Sequence, residues 1–113
     1  MKINILLPYK EKFDENKASS VSITVKNNLL YTKYLNDIRI FGQDVEKPLF
    51  KDQFIGLKYP VFSFKSKNKF LAYNMLKIIE KDTDKNQLIE MHNRPYLVDQ
   101  IAKGNKFPIS LFF

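Results

Sequence analysis

Ile3, Ile5, Leu6 and Leu7 form a short, nearly continuous apolar run that Pro8 closes. A strand with one wet face alternates apolar and polar residues; a run this unbroken suits a strand covered on both faces, as in a parallel sheet. Parallel neighbours cannot be joined by a tight hairpin. They need long crossovers, usually helices packed on the sheet faces. The opening residues therefore ask the rest of the chain for alternating strands and helices.

The chain supplies them. Further apolar runs predict strands near 37–41 (DIRIF, ended by Gly42), 87–91 and 107–113. Ser19 or Ser20 fits a helix N-cap, because a hydroxyl there accepts from the free N–H groups of the first turn. That helix is expected to reach about Lys33, with Val21, Val25 and Leu29 on one side. Val21 to Val25 alternates and is β-branched, which also suits a strand; the length of the pattern and the following NNLLYTK favour helix. Asn68 to Lys81 reads as helix from the stripe Leu71, Ala72, Met75, Leu76 and Ile79. Residues 43–69 are punctuated by Pro48 and Pro60, and a short strand is expected at 54–57 or 61–64. The order β-α-β-loop-α-β-α-β predicts a single three-layer α/β domain over residues 1–113, with a parallel sheet and right-handed crossovers. The last strand, Ile109 to Phe113, is apolar enough to need cover on both faces. The expectation is a piece of a longer protein, its Leu111–Phe113 face under-covered and the isolated chain prone to associate.

Composition removes several chemistries. The chain of 113 residues has no cysteine and one histidine, which excludes disulfides and thiolate catalysis and argues against a metal centre. No apolar run approaches the roughly 20 residues of a membrane-spanning helix. The N-terminal apolar stretch is too short for a signal peptide, so a cytoplasmic protein is expected. The formal net charge is +7, which favours anionic partners in general. The lysines are scattered, however, and arginine occurs only at 39 and 94, which is unlike a nucleic-acid reader.

Chemistry concentrates in Gln87 to Ile101, QLIEMHNRPYLVDQI. Leu88, Ile89 and Met91 suit a buried strand. His92, Asn93 and Arg94 follow where that strand should end. Pro95 fits the first turn of a helix, since it lacks an N–H that would go unpaired there. Leu97, Val98, Ile101 and Ala102 then share a helical face, and Gly104 stops it. An imidazole, an amide and a guanidinium thus meet at the carboxyl end of a strand, the edge at which open α/β sheets bind ligands.

Three stretches resemble the N-terminal half of retaining glycosyltransferases with two Rossmann-like domains, the GT-B architecture of the large group (glycosyltransferase family 4, or group 1) that includes bacterial lipopolysaccharide and polysaccharide enzymes. They are KINILLPYKEKF with the ASSVS helix entry, DIRIFG, and above all LIEMHNRPYLVDQIAKGNKFPISLFF. The resemblance implies a Rossmann-like acceptor-side domain whose C-terminal donor-binding partner lies outside this chain. It implies a nucleotide-sugar donor held mainly by that partner, a saccharide or lipid-linked acceptor, peripheral association with the inner face of a membrane, no further cofactor, no metal and no nucleic acid. The substrate-binding residues it points to are His92, Asn93, Arg94, Glu11, Ser19 and Ser20; catalytic residues are not assigned. One departure is plain: the family carries glycine where the first loop enters its helix, and this chain has Lys17-Ala18-Ser19-Ser20. Serine hydroxyls and helix N–H groups still meet an anion there, but the close backbone approach of glycine does not carry over.

Each candidate also has a plain structural role. His92 suits a turn bonded to backbone, Asn93 a cap for the helix opened by Pro95, and Arg94 a surface cation. Glu11 suits a solvated carboxylate, and Ser19 and Ser20 helix caps. Other classes fare worse. A receiver domain needs acidic residues at its strand ends, and the first strand ends in Leu7-Pro8; a nucleotide-binding P-loop is excluded by the absence of GxxxxGK[ST]. The alternative is a basic α/β binding module without chemistry, contacting nucleic acid or a protein partner.

Overall fold

In a computed structural model, the structure describes residues 1–8, 12–16, 20–58, 67–92 and 109–112. Five strands form one all-parallel sheet: β1 (Lys2–Leu6), β2 (Ile38–Gln43), β3 (Phe54–Leu57), β4 (Gln87–His92) and β5 (Ile109–Phe112). Their spatial order is β3-β2-β1-β4-β5. Among the described residues two helices connect them, α1 (Ser20–Leu30) and α2 (Lys67–Lys81). This is the Rossmann-like α/β class, with β1 at the centre.

The pattern that predicts β1 also explains its two faces. Ile5 and Leu7 pack with Val25 and Leu29 of α1 and with Ile38 and Ile40 of β2. Leu6, between them, turns to the other face, where Phe41, Ile89 and Met91 meet Leu71, Ala72, Met75 and Ile79 of α2. From β1 the chain steps to β2 under α1; from β3 it steps back across the sheet to β4 under α2. Helices on opposite faces for opposite steps are what a single crossover hand requires.

The step from β2 to β3 has no helix. Leu49 and Phe50, in the connecting loop, pack on the α1 face together with Phe13 and Phe54. The Phe13 ring lies 6.5 Å from that of Phe50 and 5.9 Å from that of Phe54. Aromatic rings thus cover β3 where a helix covers β2. Phe50 sits at φ 49°, a left-handed conformation that a side chain normally avoids, and its carbonyl accepts from the N–H groups of Gln53 and Phe54.

Several boundaries differ from the sequence expectation. Gly42 does not end β2. It lies inside the ladder opposite Gly56, and a side chain there would meet Leu7 and Phe54 at 3.6 Å, so glycine is part of the strand rather than its stop. Asp37 belongs to a single 3-10 turn, Leu35–Asp37, because the N–H of Asp37 bonds the Tyr34 carbonyl instead of joining the sheet. Helix α1 ends at Leu30, three residues before the expected Lys33. The strand expected at 54–57 or 61–64 is the former; 61–64 and the helix at 95–102 lie outside the described residues.

Among the described residues, no helix is long and apolar enough to cross a membrane.

Candidate functional site

All five strands run the same way, so their carboxyl ends form one edge. The loops after β1 and β2 meet there and pair with each other. The N–H of Glu15 donates to the Lys47 carbonyl and that of Leu49 to the Phe13 carbonyl, both at 2.9 Å. Asp14 bridges to Pro48 in antiparallel fashion. Its carboxylate accepts from the N–H of Asn16 at 2.8 Å and from that of Lys47 at 3.4 Å. A buried aspartate that collects backbone N–H groups holds both loops in one arrangement.

Between them opens a cleft of about 240 Å³, lined by Lys12, Asp14, Asn16, Gln43, Asp44, Val45 and Glu46. Asp44 pairs with Lys58, directly after β3, at 3.7 Å. It also lies across Gly56, where an added Cβ would approach its Cα to 3.0 Å and clash with its carboxylate. The lining therefore offers three carboxylates, two amides and one ammonium. Carboxylates accept from hydroxyls, and amides both donate and accept, so the set suits a hydroxyl-rich ligand. It does not suit a phosphate, which needs converging N–H donors and cations. Among the described residues no group of His, Cys, Asp and Glu converges as a set of metal ligands.

The sequence-derived candidates fall at the same edge only in part. His92 is the last residue of β4, paired in register with Phe112, rather than a residue beyond the strand. Ser20 is the first residue of α1, whose N-terminus returns from this edge. Glu11, Ser19, Asn93 and Arg94 lie outside the described residues. The sequence reading missed all six polar residues of this lining, Lys12, Asp14 and Asn16 after β1 and Gln43, Asp44 and Glu46 at and after the end of β2. Their signal was present: polar residues where an apolar strand gives out, at the end where α/β sheets bind ligands.

A second cavity, about 250 Å³, lies between α1 and the amino half of the sheet, lined mainly by Ile3, Ile5, Val25, Leu29 and Ile38, with Glu90 the charged group. It is marginally larger but is placed under a helix, away from the carboxyl edge, and we regard it as a packing gap.

A second polar cluster marks the opposite edge. Asn4 and Gln87 are buried in adjacent central strands. The Asn4 amide donates to Gln87 Oε1 at 2.8 Å and to the Leu88 carbonyl at 3.1 Å. Arg39 donates from Nε to Asn4 Oδ1 at 2.9 Å and from Nη2 to Gln87 Oε1 at 3.1 Å. Its Nη1 lies 3.1 Å from Asp82, which Lys2 also meets at 2.6 Å. The cluster fastens the end of α2 to the amino edge of the sheet. Its donors are spent on one another, which makes it architecture rather than a binding site.

Comparison with models of known protein families, with curated proteins and with solved structures finds no match.

Proposed function

We propose that this chain is the acceptor-side half of a glycosyltransferase, which transfers a sugar from a nucleotide-sugar donor to a saccharide or lipid-linked acceptor. The observation that carries the reading is the cleft between the loops after β1 and β2. It opens at the carboxyl edge of a parallel sheet, on the β2 side of β1 and across that strand from the β1/β4 boundary where the strand order reverses. Its mixed carboxylates and amides suit hydroxyls, as an acceptor sugar requires. A donor diphosphate asks for other chemistry, and on this reading it is held chiefly by a second domain. On this reading His92, the last residue of β4, serves the acceptor from the other side of β1, and Asn93, Arg94, Glu11, Ser19 and Ser20 are the further residues that the resemblance assigns to it. The protein works at the cytoplasmic face of a membrane, where its excess of lysine assists approach to anionic lipid.

The test is a titration of isotope-labelled chain with neutral oligosaccharides, followed by backbone amide shifts. Shifts confined to residues 12–16 and 43–46 support the reading. If saccharides leave these amides unmoved while a single-stranded oligonucleotide shifts lysine-rich surfaces, the chain is the basic binding module and not a transferase half.

A further inference from the structure

In the order β3-β2-β1-β4-β5, β3 is an edge strand, paired among the described residues on its β2 side alone. A parallel ladder uses alternate residues of each strand. The Ile40 N–H donates to the Gln53 carbonyl at 2.8 Å and the Asp44 N–H to the Leu57 carbonyl at 3.3 Å. Gln53, Ile55 and Leu57 therefore turn their backbone groups to β2, while Phe54 and Gly56 turn theirs outward. The Phe54 N–H bonds back to the Phe50 carbonyl at 3.1 Å, so the outward pairing groups are the Phe54 carbonyl and the N–H and carbonyl of Gly56. Gly56 itself is exposed. Such an edge takes up a further strand unless charge or shape forbids it.

We propose that two copies of this chain pair through β3, antiparallel about a twofold axis at Ile55, and so join their sheets into one. The edge reads Asp52-Gln53-Phe54-Ile55-Gly56-Leu57-Lys58, a segment that matches its own reverse. In that alignment Asp52 stands opposite Lys58, Phe54 opposite Gly56, and Ile55 opposite itself. The outward groups then meet: the Gly56 N–H of each copy faces the Phe54 carbonyl of the other. Ile55 meets its mate on the α2 face, where it and Leu57 already extend the core. Asp52 and Lys58 are exposed, and opposite charges facing each other across strands favour the pairing. Lys58 is 85% exposed and lies 3.7 Å from Asp44 of its own chain, with further N–H donors for a second carboxylate. A lysine at an edge normally wards off another strand. Here a parallel, in-register alignment would set Lys58 against Lys58, so the charge selects the antiparallel one. The occupant is a second copy because the complementarity is of the segment with itself, as a twofold interface requires. The net charge of +7 opposes the approach of two copies, so the contact rests on this local match. The inference does not depend on sugar transfer.

Charge exchange tests partner and register together. In sedimentation velocity over a concentration series, the parent is expected to pass from monomer to dimer. Asp52→Lys and Lys58→Asp should each remain monomeric, because each sets like charges opposite one another. Mixed, the two variants should form a heterodimer, since the lysines of one then meet the carboxylates of the other. Both positions are exposed, and unchanged melting curves confirm that these variants fold. The chain has no cysteine, so a single introduced one reports position cleanly. Ile55→Cys places two thiols across the axis in a non-hydrogen-bonded pair, the closer kind, and should give a disulfide dimer on mild oxidation. Tyr73→Cys, at an exposed position on α2, should not. A parent that stays monomeric throughout overturns the proposal. So does self-association that both charge variants retain, which assigns the contact to another surface, and so does cross-linking of Tyr73→Cys as fast as that of Ile55→Cys.

Discussion

Asn4 stands in the middle of an apolar run and is fully buried, which is costly unless every polar atom finds a partner. Arg39 provides the partner, and the consequence is measurable. Asn4→Leu keeps the volume but strands Arg39 Nε beside an apolar side chain and takes one donor from Gln87 Oε1. The expected loss is about 1–3 kcal/mol in urea unfolding, larger than for a simple change of hydropathy at the surface. Asp82, at the edge of the same cluster, gives a pH signature. The hydrogen bond from Lys2 chiefly, then that from the Asp84 N–H, lowers its pKa from 3.8 to about 2, against the opposing effect of burial. A carboxylate held below its unfolded value stabilises fully above that value. The contribution is lost as pH falls from 3.8 towards 2, where the unfolded state takes up the proton first. Stability of the parent should therefore fall through this window, and Asp82→Asn should flatten the fall while leaving the rest of the acid limb in place. Gly56 is the third such position. Gly56→Ala places a methyl against the backbone and carboxylate of Asp44, so the end of β2 must move. An expected cost of about 1–3 kcal/mol should come with shifted amides at 43–46, the signature of a displaced cleft wall.

The paired loops after β1 and β2 act as an element although neither is a helix or a strand. Phe13 is the pin: its ring is buried between Phe50 and Phe54, and its carbonyl takes the N–H of Leu49. Phe13→Ala should cost about 3–5 kcal/mol by calorimetry or denaturant, and it should weaken saccharide binding even at temperatures where the variant remains folded. A variant that loses stability but binds as before would detach the clamp from the site. This element also shows where sequence reading stops. Strands β1, β2, β4 and β5 and helix α2 are legible because an apolar run or a 3.6-residue stripe has one physical meaning for each. The helix reading of residues 20–30 over the rival strand reading rests on length and the following NNLLYTK, and the structure agrees with it: Val25 and Leu29 are buried and Ile23 is not. Nothing comparable marks residues 44–53. Their one aromatic side chain, Phe50, answers to Phe13, more than thirty positions earlier, and a left-handed phenylalanine has no sequence signature at all. The same reason hides the cleft: Gln43, Asp44 and Glu46 gain meaning only once Asp14 has fastened the other loop beside them. His92 was legible as an edge residue because it directly follows a strand, yet the ladder carries it one position further than polarity suggests.

At the scale of the molecule, two electrostatic regimes coexist. The chain as a whole carries +7, so any anionic surface or polymer attracts it over the distance that salt permits, about 10 Å at 0.1 M ionic strength and about 3 Å at 1 M. The cleft at the carboxyl edge is an exception, with three carboxylates against one lysine in its lining. The two regimes predict opposite responses to salt. Attraction to lipid or nucleic acid should weaken steeply as sodium chloride rises; for a single-stranded oligonucleotide, log K should fall with log salt at about −0.7 for each phosphate neutralised. Binding of a neutral oligosaccharide, on the reading proposed, would rest on short hydrogen bonds to carboxylates and amides, and should change little over the same range. Measured side by side on one preparation by calorimetry, a salt-independent saccharide isotherm beside a salt-labile oligonucleotide isotherm places the two ligands on different parts of the molecule. A saccharide isotherm as salt-labile as the oligonucleotide's would mean that both report the diffuse positive surface, and the cleft would lose its claim to be the acceptor site.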